Sequence, residues 1–251
     1  MIVVEEHEPA AEEENYFISM TDMMVGLIFI FIIMLMYFVL EFRDVTDKLA
    51  GANATRTLIL QAIKGDLAKK GVAVEIDTVD GVLHLPNAIL FDSADANLKP
   101  EGKVVVAKIA EALDDVLPCY TDSNDRAQAV PASCANNHKI ESLYIEGHTD
   151  QVPMHRSDDI RDNWGLSALR ATNTYREMLA DKPDIHRFCV TKPNSDCQPV
   201  LSVSGYGPDR LVDHRDSDEA RQRNRRIDLR LIMVTPDSGQ AQSAIAAHLA
   251  S

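Results

Sequence analysis

The chain has 251 residues, 39 acidic against 25 basic, for a formal net charge of -14. That length holds one sizeable domain with accessories, and the acidic balance excludes nucleic acid as a partner, because binding phosphate requires a basic surface. The composition is otherwise that of a water-soluble domain, so one long apolar run stands apart as an anchor rather than as part of a multi-pass bundle.

Residues 1–15 form a short acidic tail with six Glu and no Lys or Arg, expected to be disordered. Residues 16–40 read as a membrane helix. Met23 to Leu40 are 18 consecutive uncharged residues, which span roughly 27 Å at 1.5 Å per residue, close to a bilayer core. The run is too long for a signal-peptide core and has no small-residue cleavage site after it, so it reads as a signal anchor. One carboxylate, Asp22, lies in its first third. Ser19, Asp22 and Gly26 share a helix face, and small residues there suit a partner helix. Two readings of Asp22 stand. It is a functional ionisable group, as intramembrane carboxylates are by default. Alternatively Ser19 caps a helix start with Asp22 three residues on, or Asp22 itself caps a helix beginning at Met23.

Residues 41–80 read as a helical stalk and linker. Val45, Leu49, Leu58, Ile59, Ala62 and Ile63 form a partial stripe, broken at Gly51 and Asn53 and ending near Gly71. Alternation over 72–91 predicts two strands around a turn at Asp80-Gly81. Pro100 opens a helix running to Val116. Ile140 to Glu146 alternates as a strand that ends at Gly147-His148-Thr149-Asp150, and Leu166 to Asp181 is helical. Val200 to Gly207 is a strand entering a glycine turn, and Ile227 to Val234 is the last strand. The order is β-α-β-α-β-β after an introductory strand, an α+β sandwich of helices on one sheet over 81–235. Residues 236–251 are a small-residue tail.

The four cysteines fall as two near pairs, Cys119 with Cys134 and Cys189 with Cys197, each bracketing a loop-like segment. Two local disulfides in an oxidising compartment fit this spacing, and four free thiols are the other reading. Metal binding is weakly signalled, since no pair has C-x-x-C spacing and the histidines are scattered. The basic residues after the apolar run, Arg43, Lys48 and Arg56, favour a cytoplasmic C-terminal side; the cysteines favour the opposite. Arg221, Arg223 and Arg226 read as balancing the nearby Asp213, Asp216, Asp218 and Glu219. No catalytic dyad or phosphate loop is present in the sequence, so an enzyme is not expected.

The segments FDSADANLKPEG, GHTD, NWGLSALRA, GYGPDR and RNRRIDL stand in the order of the OmpA-like C-terminal domain, which the chain resembles over residues 82–234. The resemblance implies peptidoglycan binding. Asp150 and Arg170 fall on the positions that clamp the diaminopimelate of the stem peptide, where a zwitterion needs a carboxylate for its ammonium and a guanidinium fork for its carboxylate. Thr149, Asn163 and Leu166 occupy neighbouring motif positions, and Asn224 and Arg225 begin the strand that borders the groove. The loop between Asp150 and Asn163 is longer than in many relatives.

ISMTDMMVGLIFIFIIMLM in turn resembles the membrane helix of MotB-type stator subunits, in which a lone Asp carries the transported ion. The two resemblances together imply a single-pass bacterial inner-membrane protein with a cytoplasmic N-terminus and a periplasmic domain. They also imply a homodimer inside a MotA-like multi-pass partner, with Asp22 taking up a cation, most simply a proton, with sodium the other candidate, and no other cofactor. The acidic tail and the wording TDMMVGLIFIFIIML are most like the B subunit of the Zorya anti-phage defence system, whose multi-pass partner is the ZorA-type subunit. A flagellar MotB-type stator and a passive wall anchor are the alternatives.

Overall fold

The computed structural model describes residues 10–123, 134, 138–154, 160–191 and 196–235, with side chains from residue 20 onward. The expectations for residues 1–9, for most of the loop after Cys119, for residues 155–159 and for the tail from 236 lie outside the described residues. The chain forms two units, Met1–Leu49 with Pro236–Ser251, and Ala50–Thr235.

The first helix, α1, runs uninterrupted from Ala10 to Lys69 over 60 residues. This corrects two expectations. The acidic segment is helical from Ala10, because Ala10, Ala11 and Glu12–Glu14 are strong helix formers with acids in the favoured first turn. The stalk has no break either. A helical glycine costs only about 1 kcal/mol relative to Ala, and the missing side chain at Gly51 makes room for the His138 ring, whose Nε2 lies 2.6 Å from where a Cβ would stand. In the first unit, Met23 to Leu40 are exposed throughout, on a helix long and apolar enough to cross a membrane.

The second unit begins inside α1. Ile59, Leu60, Ile63 and Leu67 recur at helical spacing and are buried in the main core. Burying four such side chains is worth about 6–12 kcal/mol gross, so Ala50–Lys69 belongs to the domain and the expected boundary at residue 80 does not follow the packing. Leu58 and Ala62, placed on the stripe by the sequence, are exposed.

Strands β1 (Glu75–Asp77) and β2 (Val82–Pro86) form the expected hairpin, with Gly81 at the turn. Residues Asn87–Leu90 then form a short helix, α2, in place of further strand. Helix α3 is Pro100–Val116, β3 is Asp122–Ser123, β4 is Ile140–His148 and α4 is Asn163–Asp181. Strands β5 (Phe188–Thr191), β6 (Cys197–Pro199) and β7 (Leu201–Gly205) precede α5 (Asp218–Asn224) and β8 (Arg226–Met233). The main sheet has the order β1-β2-β8-β4-β7, antiparallel except for the parallel pair β4–β7. The predicted β-α-β-α-β-β order is β2-α3-β4-α4-β7-β8.

Besides α2, a further helix and a second sheet depart from the sequence reading. Helix α5 lies in what read as a basic cluster, and a second sheet, β3-β5-β6, occupies what read as loop. Both cysteine pairs are disulfides, Cys119–Cys134 and Cys189–Cys197, the latter within the β5–β6 hairpin.

Alternation puts Leu83, Leu85, Leu143, Ile145, Ile227, Leu229 and Leu231 on one face of the main sheet, packed with Val106, Ile109 and Leu113 of α3 and Ala171 and Met178 of α4. Helix α4 sits unusually close. Gly147 and Gly205 are paired across β4 and β7, and a Cβ at these positions would lie 2.0 Å from the Ser167 carbonyl oxygen and 2.6 Å from the Ala168 nitrogen. Their missing side chains let the α4 backbone rest on the strand ends, which fixes where the first two turns of α4 stand.

Candidate functional site

The carboxyl end of β4, the start of α4 and the start of β8 converge. Beyond His148, the Thr149 amide donates to the Gly207 carbonyl at 2.9 Å. Asp150 follows and is buried, at 7% exposure. Its Oδ1 accepts from the Val152 amide at 3.1 Å, and its Oδ2 accepts from Arg225 Nη1. Asn163 Nδ2 donates to the carbonyls of Asp150 at 3.2 Å and Val152 at 2.9 Å. Asp162 caps α4 by accepting from the Gly165 amide at 2.8 Å, so the helix start and the Asp150 loop are built as one unit. Leu166 packs with Ala96 and Ile160 in a small separate cluster.

Arg170 is held from within. It is 2% exposed, its Nε donates to the Asp95 carbonyl at 2.8 Å and its Nη2 to the Asp92 carbonyl at 3.0 Å. Its guanidinium carbon stands 5.2 Å from the Phe91 ring centre. Burial, with the neighbouring Arg225 charge, pushes its pKa down to about 10, against the pull of Asp95 and Asp150, so it stays a cation at neutral pH. Two of its donors thus shape the loop Asp92–Asp95. The direct ion-pair partner of Asp150 is Arg225, which the sequence placed only at the groove's border. Asn224 is buried and holds the preceding loop, accepting from the Val212 amide at 2.9 Å and the Asp213 amide at 3.0 Å. Asp150, Asn163 and Arg225 are joined by these contacts, Thr149 joins them through its Oγ1, which donates to the Asp150 carbonyl at 3.1 Å, and Arg170 lies close enough to feel the charges of Asp150 and Arg225. Leu166 and Asn224 buttress the site from either side.

Beneath it runs a buried polar network that the sequence did not disclose. On the sheet face opposite the apolar core, His84 of β2, Asp228 of β8 and Glu146 of β4 stand in adjacent register. Asp228 Oδ1 lies 2.7 Å from His84 Nδ1, and its Oδ2 accepts from Arg226 Nε at 2.9 Å. Glu146 accepts from Arg230 Nε at 3.0 Å and from Tyr206 Oη at 3.2 Å. His148 lies between the carboxylates, its Nε2 3.3 Å from Asp228 and 3.8 Å from Glu146. Burial alone would raise the Asp228 carboxyl, but His148, His84 and the Arg226 charge together hold it well below the usual carboxylate range. Glu146 is likewise lowered, burial being outweighed by His148 and Arg230. Glu146, His148 and Asp228 offer three donor atoms within 4.8 Å of one another. Arg226 and Arg230 already neutralise the two carboxylates, so the cluster is charge-balanced without a cation. This corrects the reading of Arg226: it pairs inward with Asp228. Arg221 and Arg223 do balance surface acids, Arg221 with Asp216 at 2.5 Å and Asp218 at 2.7 Å, and Arg223 with Asp213.

In the first unit, Asp22 lies in the interior of α1 and is exposed. Since the helix already begins at Ala10, neither Ser19 nor Asp22 stands at a helix start, and the capping readings fall.

No family model matches the chain. It is 25% identical over 156 residues to Motility protein B of Bacillus subtilis, a match covering 62% of this chain and 46% of that protein. The chain thus spans about half the length of that relative. Among solved structures, a MotB-like protein from Desulfovibrio vulgaris shares its fold at TM-score 0.50 and 22% identity, over 72% of this chain and 95% of that one. The cell wall anchor of the T6SS from Pseudomonas aeruginosa aligns at TM-score 0.46 and 22% identity, over 71% and 97%. The periplasmic domain of Helicobacter pylori MotB aligns at 0.44 and 19%, over 66% and 85%.

Proposed function

We propose that this chain is the wall-anchored subunit of an ion-driven membrane motor. The observation that carries this reading is a single helix, α1, whose exposed apolar span bears the lone carboxylate Asp22 and whose last turns are built into the core of a domain with a MotB-like fold. In a bilayer an ionised Asp22 costs about 2.5–3.5 kcal/mol or more, and taking up a cation removes that cost. The helix then exchanges its contacts with a surrounding MotA-like multi-pass partner as the cation, in the simplest case a proton, binds and leaves. A homodimer presents two such helices along the face of Ser19, Asp22 and Gly26. The domain holds the complex to peptidoglycan through the Asp150 site. The two disulfides support a periplasmic domain and a cytoplasmic N-terminus.

Within that class, the acidic segment before the apolar span and the TDMMVGLIFIFIIML wording support a B subunit of a Zorya-type anti-phage complex. In that setting the motor senses invasion and signals to cytoplasmic effectors. The name of the Bacillus relative favours a second reading, a flagellar stator. Asp22→Asn in cells carrying the complete complex is expected to abolish phage protection while protein level and partner co-purification stay unchanged. Full protection by the variant removes the ion-carrier role; rescue of swimming in a strain lacking its own stator selects the flagellar reading. For the wall site, Asp150→Asn in the full-length protein is expected to lower retention on purified sacculi about 10- to 100-fold, the worth of a charge-assisted contact. Unchanged retention overturns the assignment.

A further inference from the structure

We infer that Trp164 is a stacking platform for a pyranose ring of the glycan strand, a sugar subsite beside the Asp150–Arg225 pair; the inference rests on the wall-binding reading. Trp164 is the chain's one tryptophan and is 47% exposed. A lone exposed apolar side chain needs no explanation by itself, but this one has a built seat. A Cβ at Gly207 would lie 3.1 Å from both Cδ2 and Cγ of the indole and 3.2 Å from Cδ1. Three ring atoms at nearly equal distance mean that Gly207 points at the face of the ring, not its edge. Gly207 has φ of 53°, so the backbone there both requires glycine and leaves the space the indole occupies. One face of the ring thus rests on the Gly207 backbone, and the residue still keeps 47% of its surface exposed.

The seat is locked to the site. Ser167 Oγ donates to the Trp164 carbonyl at 2.9 Å and accepts from the Gly207 amide at 2.9 Å, while the Gly207 carbonyl accepts from Thr149. The next residue back, Asn163, bonds the Asp150 and Val152 carbonyls, and the exposed Val152 adds apolar surface alongside. A flat aromatic face, electron-rich at its centre, held rigid at low entropic cost, suits the C–H-bearing face of a sugar ring. In peptidoglycan every peptide stem hangs from a sugar, so a site that grips the charged stem has glycan within one stem's reach.

The test uses the full-length protein in detergent and two soluble probes: a diaminopimelate-containing tetrapeptide, and the same tetrapeptide on its N-acetylglucosaminyl-N-acetylmuramyl disaccharide. Because one tryptophan is present, indole emission reports this ring alone. The disaccharide-peptide is expected to shift that emission and the free peptide to leave it unchanged. By calorimetry, Trp164→Ala is expected to weaken the disaccharide-peptide about tenfold and leave the free peptide within about twofold, with Trp164→Phe losing about threefold. Equal losses for both probes, or none for either, overturn the sugar subsite. Asp150→Asn is expected to weaken both probes; wild-type protein that binds neither removes the wall-binding reading itself, and the subsite with it.

Discussion

Gly147→Ala tests whether the site depends on the close seating of α4. The added Cβ would stand 2.0 Å from the Ser167 carbonyl oxygen, so helix or strand must give way by about 1 Å in a core packed to near-crystalline density. The variant gains about 0.4–1 kcal/mol by restricting the unfolded chain. Against that stands an overpacking cost of about 1–3 kcal/mol, and more where the obstacle is backbone. The expected net loss is about 2 kcal/mol, or a fall of about 4–8 °C in melting temperature for a domain of this size. Trp164, seated on Gly207, gives the fluorescence signal for the melt. The same shift moves Asn163 and Arg170 away from the Asp150 loop, so retention on sacculi falls as well. Gly65→Ala is the control: it lies in exposed helix with nothing within 4 Å of the new Cβ, and is expected to stabilise by about 0.8–1 kcal/mol. Gly147→Ala melting with wild type and binding sacculi equally would refute the reasoning.

Asp228→Asn leaves the buried Arg226 without its counter-charge and is expected to cost about 3–5 kcal/mol in chemical denaturation; a loss below about 1 kcal/mol would contradict the network's role. Because the folded Asp228 and Glu146 carboxyls lie below their usual range, their contribution is fully present above about pH 4–5 and is lost as pH falls toward the folded values. Melting temperature should therefore drop progressively below about pH 5, and less steeply in Asp228→Asn; a flat profile would count against it. The disulfides close segments of 15 and 8 residues, and reduction is expected to cost about 2–3 kcal/mol for each, read as a lower melting temperature in dithiothreitol. Arg225→Gln is expected to weaken a zwitterionic diaminopimelate stem in calorimetry while strengthening an amine-only ligand at Asp150; the same direction of change for both ligands would refute partner exchange at this pair.

Much of the fold was legible because its signals are local. IESLYIE and IDLRLIM alternate, and Asp80-Gly81 marks a hairpin turn. Helix α5 carried a signal that went unused: Ser217 at its N-cap, Asp218 and Glu219 in its first turn, Arg221 and Arg223 in its last. The polar network was hidden for a different reason. Glu146, His148 and Asp228 alternate with Ile145 and Leu229, so each strand alone reads as half-solvated. Only the insertion of β8 between β2 and β4, a pairing across more than half the domain, brings the two carboxylates, two histidines and two guanidiniums together.

The role of Arg225 is hidden in the sequence for the same reason, since its link to Asp150 joins residues 75 apart. That link changes what the site asks of a ligand. With Arg170 committed to the carbonyls of Asp92 and Asp95, a ligand ammonium reaching Asp150 meets an oxygen already engaged by Arg225. A simple amine that displaces the guanidinium only trades one charge-assisted contact for another, while the partly exposed Arg225 turns to solvent. A zwitterion brings its own carboxylate to the released guanidinium, so both ion pairs exchange partners and no charge is stranded. Under the wall-binding reading, selectivity for a diaminopimelate-like centre over a lysine-like one thus follows from the pre-formed pair itself.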